Sequence, residues 1–166
     1  MSTASRSCAL IESASALLLR IGHDFIALLG RFSLAAVFWK SGQTKVQGFA
    51  VDLFEGQFEF AWPRLADSAL ALFRDEYRVP LLAPEIAAPL AALSEHLFAL
   101  SLLLGLATRF SALGLLGMTA VIQLFVYPGA YATHGTWAAL LLYLVATGPG
   151  AFSLDRWVAR RWHSRH

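Results

Sequence analysis

The chain has 166 residues, of which 57% are hydrophobic and 14% charged; its formal net charge is +2 and its mean hydropathy +0.57. So little polar surface argues against an ordinary soluble domain, although a buried helical bundle of a soluble protein is the alternative. The basic residues form no stripe interleaved with aromatic residues, which argues against nucleic acid binding, and the single cysteine, Cys8, excludes an internal disulfide and a CxxC redox pair.

Residues 1–21 precede the first long apolar block. Glu12, Ser13 and Ser15 interrupt the apolar run over residues 9–19, and no clear small-residue cleavage site follows. A secretory signal is therefore not indicated. We expect an amphipathic lead-in that lies along the cytoplasmic face of a membrane.

Apolar segments with few charges then predict an all-α integral membrane four-helix bundle, which occupies residues 22–152. A helix needs about 20 apolar residues to cross the ~30 Å hydrocarbon layer. The fourth segment is short for a span, which implies tilt or local bilayer thinning. The predicted spans are residues 23–44, 85–107, 110–128 and 135–149.

A polar, turn-rich outer loop, residues 46–84, separates the first two spans. Its residues 50–62 are aromatic and acidic, and apolar residues at helical spacing predict an amphipathic helix over residues 65–77. We expect this partly helical loop to fold over the mouth of the bundle as a lid. The alternative is a connector that dips apolar side chains into the headgroups.

The arginines indicate the topology. Four crossings place both termini on one side, and most arginines of the chain fall on that side, so the positive-inside rule makes it cytoplasmic. Residues 153–166 form a predicted cytoplasmic amphipathic tail. Its residues Trp157, Val158 and Trp162 share one helical face, which suits a helix lying in the interface.

The second span carries two ionisable residues near its centre, Glu95 and His96. Glu95 lies about ten residues, or ~15 Å, from the outer end of this helix. A charge at that depth is costly and marks a ligand site, a proton relay or a structural ion pair, and these alternatives stay open. His96 points ~100° away from Glu95, which favours a structural role.

Arg31 in the first span is the predicted partner of Glu95. If the two helices are antiparallel, the two side chains differ in depth by only ~6 Å, within reach of an arginine. The helix face of Arg31 continues through Gly42 to Lys45, which we expect at the outer mouth of the bundle.

Gln123 lies in the outer third of the third span, and His134 in the loop between the third and fourth. A loop histidine is usually solvated, and we expect this of His134; a functional role is the alternative. The sequence has no HxxxH pair, and its mid-chain histidines fall at different predicted depths. No haem or fixed metal is therefore predicted.

Four motifs occur in order along the membrane part of the chain. They are Arg31 with residues 38–45 (FWKSGQTK), Glu95 with residues 105–109 (GLATR), Gly117–Met118, and residues 148–155 (GPGAFSLD). Together they resemble the DoxX family of small four-helix bacterial membrane proteins, over about residues 30–157. Residues 72–82 and 121–128 resemble a DoxX subgroup that tends to be encoded beside machinery for modified, copper-binding peptides.

The resemblance implies a protein of the bacterial cytoplasmic (inner) membrane. DoxX relatives include a membrane subunit of thiosulfate:quinone oxidoreductase and members of membrane redox or thiol-stress complexes, but one cysteine does not suffice for a thiol relay. Our leading hypothesis is a redox accessory subunit that binds quinone or quinol between its helices. Glu95 and Arg31 would act on the head group as hydrogen-bonding or proton-relay groups; the candidate cofactor-binding residues are Lys45, Gln123, His96 and Trp39.

Two alternatives come from other functional classes. One is a membrane partner in copper homeostasis, or in the maturation or export of a metal-binding peptide, which the acidic outer loop and His134 would meet. The other is a structural anchor that recruits soluble enzymes. The expected partners are the lipid bilayer, proteins of a membrane redox or metal-peptide system and, through glycine-rich helix faces, a second copy of the chain.

Overall fold

A computed structural model describes residues 21–52 and 55–163. Cys8, the amphipathic lead-in expected before residue 21 and the last three residues of the tail lie outside the described residues. The described chain is mostly helical and contains one small sheet.

The first helix, α1, spans His23–Gln43. Its buried residues, including Ala27, Arg31, Leu34 and Phe38, recur every three or four positions, which is the spacing of one helix face. The residues between them, such as Phe25 and Phe32, are exposed and apolar. A helix that buries one apolar face and exposes another is suited to a bilayer, because lipid covers the exposed face.

A β-hairpin follows α1 directly. Strand β1, Val46–Asp52, pairs antiparallel with β2, Gln57–Leu65, and the N–H of Ala66 donates to the carbonyl of Lys45 at 2.9 Å to close the base. The prediction of an all-α fold is therefore wrong for this part of the outer loop. Phe58, Phe60 and Trp62 alternate with other residues, a pattern that is typical of a strand and could have predicted β2.

Residues 67–77 of the outer loop are helical, in agreement with the helix predicted over residues 65–77. Helix α2, Asp67–Leu72, continues into a π-helical turn, Phe73–Tyr77. Phe73 is buried against Ala87 and Ala88 of the next helix, so this segment packs onto the bundle. We refer to residues 67–77 as the lid.

Helix α3, Pro84–Leu104, begins with proline at a position where no helical N–H is needed. It ends at Gly105 (φ +67°), whose left-handed conformation lets the N–H groups of Gly105 and Leu106 bond back to Leu102 and Ser101. Helix α4, Thr108–Val121, follows after this tight turn and continues into a second π-helical turn, Ile122–Val126.

Helix α5, Tyr131–Thr147, follows a short 3₁₀ turn at Pro128–Ala130 and packs against α4 and α1. Among the described residues, three helices have the length and composition to cross a membrane, namely His23–Gln43, Pro84–Leu104 and Thr108–Val126. Helix α5, which corresponds to the fourth predicted span, has 17 residues. A membrane protein is thus supported, while the fourth crossing, the topology and the inner-membrane location stay predictions.

Helix α6, Leu154–His163, confirms a helical tail. Trp157, Val158 and Trp162 are exposed, and the guanidinium of Arg161 lies 4.2 Å from the ring centre of Trp157. Asp155, in the first turn of α6, accepts hydrogen bonds from the N–H groups at the start of α4 and so ties the tail to the bundle.

Candidate functional site

A buried ion pair joins the end of α1 to the middle of α3. Lys45 Nζ lies 3.0 Å from Glu95 Oε1 and 2.8 Å from Oε2, and the two residues are only 5% and 2% exposed. Ser41 completes the group, because its hydroxyl donates to Glu95 Oε1 at 3.0 Å and its carbonyl accepts from Lys45 Nζ at 3.0 Å. The burial of one charge is thus offset by the other and by hydrogen bonds to both.

Local structure places the two charges together. Lys45 follows the last turn of α1, and its backbone bonds to Gly42 on one side and to Ala66 on the other. Gly42 lets α3 approach closely, since a Cβ there would lie 2.7 Å from the ring of His96 and 3.3 Å from Glu95 Cβ. A larger residue at position 42 would push α3 away and lengthen the ion pair.

The ion pair lies beside a cavity of about 240 Å³, which we call the Glu95 cavity. Its polar residues include Ser41, Lys45 and Glu95, and most of the others are apolar side chains of the lid, α3 and the end of α4. These apolar residues are Phe73, Val79, Leu82, Ala87, Leu90, Ala91, Met118, Val121, Ile122 and Val126. A mostly apolar cavity with a few convergent polar groups is the usual form of a small-molecule site.

Glu95 keeps hydrogen-bonding capacity beside this cavity. The three protons of the Lys45 ammonium have three acceptors within 3.1 Å, namely Ser41 O, Ser41 Oγ and Glu95 Oε1. Glu95 Oε2 lies 2.8 Å from Nζ, nearer than Oε1, but no described residue donates to it with the geometry of a hydrogen bond. A buried carboxylate oxygen in this state is suited to accept a proton or a hydrogen bond from a ligand.

The lid contributes Tyr77 to the same cavity. Burial raises the pKa of Tyr77, and the negative charge of Glu95 adds to this effect. The hydroxyl therefore stays protonated at neutral pH. Phe73 and Tyr77 belong to one π-helical turn and Ile122 and Val126 to the other, so both turns line the cavity. Such turns occur often at functional sites.

Two polar contacts hold the lid in place. Arg74 donates to Glu85 of α3 at 2.8 Å, and the hydroxyl of Tyr127 donates to Glu76. The hydrogen bond to Glu76 raises the pKa of Tyr127 above its ordinary value, because deprotonation would bring a second negative charge to the carboxylate. The side chains of both contacts are exposed to solvent, so neither contact prevents the lid from opening.

Arg31 does not pair with Glu95, which corrects the sequence-based prediction. Its side chain is 1% exposed, and Nη2 donates to the carbonyl of Phe152 at 2.6 Å. Nη1 packs so tightly on Gly105 that a Cβ there would lie 1.8 Å from it. Arg31 therefore secures the turn after α3 and the segment before α6, away from the Glu95 cavity.

The register of α1 against α3 explains the error. Helices aligned end to end would place Arg31 beside His96, whereas in the structure Arg31 meets Gly105 and Glu95 meets Gly42. The shift is about nine residues, or ~14 Å along the helix axis. Two glycines, each opposite a large polar side chain, set this register.

Trp39 contacts the hairpin directly and His96 is linked to it through Gln43, and neither residue lines the Glu95 cavity. His96 Nδ1 donates to the carbonyl of Ala92, so Nε2 accepts from the amide of Gln43 at 2.8 Å. Gln43 accepts from the N–H of Val51, and the indole of Trp39 donates to the carbonyl of the same residue. This network supports the structural role favoured for His96.

Gln123 and His134 form a separate contact. His134 is 6% exposed and lies in the first turns of α5, not in a loop, and its Nδ1 donates to Gln123 Oε1 at 2.8 Å. Gln123 in turn donates to the carbonyl of Pro128. The expected solvated position of His134 is therefore wrong, and Gln123 is not among the residues that line the Glu95 cavity.

Of the predicted site residues, Glu95 and Lys45 come together, whereas Arg31, His96, Trp39 and Gln123 lie elsewhere. Sequence reasoning missed three polar residues that line the cavity, Ser41, Tyr77 and Ser94. Ser41 could have been found, because it precedes Lys45 by one helical turn. Tyr77 could not, since the sequence does not show how far the lid folds back. Among the described residues, no group of three or more His, Cys, Asp or Glu could hold a metal ion.

Comparison with known proteins gives one family. A family model, DoxX, matches residues 26–128, which is more than half of the chain and includes α1, the hairpin, the lid, α3 and α4. Searches of curated proteins and of solved structures returned no match. The chain belongs to the DoxX family.

Proposed function

We propose that this DoxX-family membrane protein binds the head group of a quinone or quinol in the Glu95 cavity and serves as an accessory subunit of a membrane redox system. One observation carries the proposal. A buried carboxylate that pairs with Lys45 borders an apolar cavity, and its Oε2 receives no hydrogen bond from any described residue. A quinol presents the complementary group, a hydroxyl on a flat apolar ring.

Glu95 and Lys45 have different roles in the proposed oxidation of the quinol. A quinol hydroxyl donates to Glu95 Oε2, and Glu95 takes this proton when the quinol is oxidised. The Lys45 ammonium lies against the Glu95 carboxylate and offsets the cost of burying its charge. The second proton passes to solvent, and the two electrons go to a redox centre of a partner protein.

The cavity suits a head group with an apolar tail. Its volume of about 240 Å³ is below the ~300–1,000 Å³ of typical ligand pockets, so it holds a ring but not a long chain. Leu82, Leu90 and Val121 line the cavity and are also partly exposed on the apolar surface. A tail can leave between α3 and α4 into the lipid, and the ligand can enter by the same path.

Quinol binding to the purified protein in lipid nanodiscs tests the proposal. Glu95→Gln keeps the shape of the side chain but removes its charge, and Val121→Phe fills the cavity without touching the ion pair. We expect each to weaken the binding of a short-tailed quinol analogue at least tenfold, measured by titration calorimetry. Glu59→Gln, an exposed carboxylate of β2, is the matched control and leaves the affinity unchanged.

The thermal midpoint of each variant is measured in parallel, because Glu95→Gln leaves Lys45 without a charged partner. Val121→Phe keeps the test decisive if Glu95→Gln unfolds. Quinol affinity that is equal in wild type, Val121→Phe and a folded Glu95→Gln would contradict the proposal, as would no binding to the wild type.

A further inference from the structure

A second concave surface lies where α1, α3 and β1 meet. It has a volume of about 690 Å³, nearly three times that of the Glu95 cavity, and shares no lining residue with it. We call it the α1–α3 groove. Because the quinol proposal does not use this surface, its function is a separate question.

The groove is shaped by the sizes of its side chains. Ala35, Ala36 and Ala99 lie along it, and larger apolar residues, among them Phe32 and Leu100, flank them. Phe32 and Leu100 are 51% and 45% exposed, so the groove opens to the surroundings and is not an internal void. A furrow of small residues between large apolar ones fits a linear hydrocarbon chain.

The end of the groove near the hairpin is polar. Lys40, Gln43 and Asp52 line it there, and Lys40 Nζ lies 3.5 Å from Glu55 of the hairpin turn. From Lys40 to Phe32 the helix rises by ~12 Å, which approaches the thickness of one leaflet, half of the ~30 Å hydrocarbon layer. The groove therefore has the length and polarity of one lipid molecule in a leaflet.

The charges at the polar end indicate the kind of headgroup. Lys40 is suited to a phosphate, whereas Glu55 and Asp52 are suited to an ammonium and would repel a headgroup with only negative charge. We propose that the α1–α3 groove binds one zwitterionic phospholipid of the phosphatidylethanolamine type, with its phosphate at Lys40, its ammonium at the acidic residues and one acyl chain along Ala36.

Native mass spectrometry of the detergent-purified full chain tests this inference. The protein is delipidated and titrated with phosphatidylethanolamine or phosphatidylglycerol of the same acyl chains. We expect the wild type to retain one phosphatidylethanolamine, at least fivefold tighter than phosphatidylglycerol. Ala36→Phe fills the groove and lowers this affinity at least fivefold, and Lys40→Gln weakens the binding of both lipids, because both carry the phosphate.

Ala139→Phe is the matched control, because Ala139 is an exposed alanine of α5 outside the groove. It should leave the lipid affinity unchanged. Equal binding of the two lipids by the wild type would overturn the inference, as would equal lipid affinity of Ala36→Phe and Ala139→Phe, or no retained lipid. Lys40→Gln alters only an exposed side chain, so it remains informative if Ala36→Phe does not fold.

Discussion

The two ends of the contact between α1 and α3 each bury a cation, but in different surroundings. At the hairpin end, Lys45 contacts a carboxylate and borders a cavity. At the other end, Arg31 donates to the Phe152 carbonyl, has no carboxylate oxygen within 4 Å in the described part of the chain, and packs against Gly105. Nε and Nη1 of Arg31 have no acceptor among the described residues.

The difference shows that burial of a charge does not by itself identify a functional site. Both cations are almost fully buried, and both are costly to bury. Space beside the charge separates the two cases, because a ligand can reach Glu95 and Lys45, whereas the contacts of Arg31 leave no room. We therefore propose the hairpin end as the ligand site, whereas the contacts of Arg31 at the other end secure the fold.

Loss of Lys45 should have the largest effect on stability. Lys45→Met leaves Glu95 buried without a cation and should lower the free energy of unfolding by about 3–5 kcal/mol. The double variant Lys45→Met/Glu95→Leu removes both charges and should recover most of this loss, yet bind no quinol. Unfolding in mixed detergent micelles measures the stability of both variants. A Lys45→Met variant as stable as the wild type would refute the assigned ion pair.

Gly105→Ala tests the close packing of Arg31 against the turn after α3. The new Cβ would overlap Arg31 Nη1 and approach Ser153, in addition to the strain of a positive φ. We expect a loss of roughly 3 kcal/mol. Gly56 has the same φ of +67° with nothing within 4 Å, so Gly56→Ala should cost only about 1 kcal/mol. Equal losses of stability in Gly105→Ala and Gly56→Ala would show that Arg31 does not pack closely against the turn.

Arg31→Met sharpens the comparison between the two cations. It removes one hydrogen bond to a carbonyl but strands no close carboxylate, so we expect a loss of about 1–2 kcal/mol, below that of Lys45→Met. Quinol affinity should not change. A clear drop in quinol affinity at unchanged stability would restore Arg31 to the binding site.

The lid should respond most weakly. Tyr127→Phe removes the hydrogen bond to Glu76 and should increase amide hydrogen exchange in residues 67–77 severalfold, with little change in overall stability. The pKa of Tyr127 is raised in the folded state, so this contact is fully present below about pH 10 and is lost as the pH rises further. The rate of amide hydrogen exchange in the lid is corrected for its intrinsic pH dependence. An increase of this corrected rate in the wild type below pH 9 would contradict the assignment.

Periodic features were predictable from the sequence, and the register was not. The bounds of α1 and α3 agree with the predicted spans within about three residues, because apolar length and the Pro84 signal are local. The depth of Arg31 relative to Glu95 depends on how far two helices slide. Gly42 and Gly105 set that distance, and the sequence alone does not pair them.

The hairpin and the cavity illustrate the same limit. Phe58, Phe60 and Trp62 alternate, so strand β2 could have been predicted. The position of the hairpin, however, depends on two hydrogen bonds of Val51 in β1, which accepts from the indole of Trp39 and donates to the side chain of Gln43. The lid helix was predicted from its apolar spacing. That Tyr77 would line a cavity with Glu95 depends on tertiary packing, which no local pattern encodes.

Photoaffinity labelling with a quinone analogue that carries its reactive group on the ring tests the central claim most directly. The account predicts labelled peptides from residues 73–95 and 118–126, and loss of this labelling in Val121→Phe but not in Glu59→Gln. Labelling confined to other parts of the chain, or unchanged in Val121→Phe, would contradict the assignment of the Glu95 cavity as the quinone site.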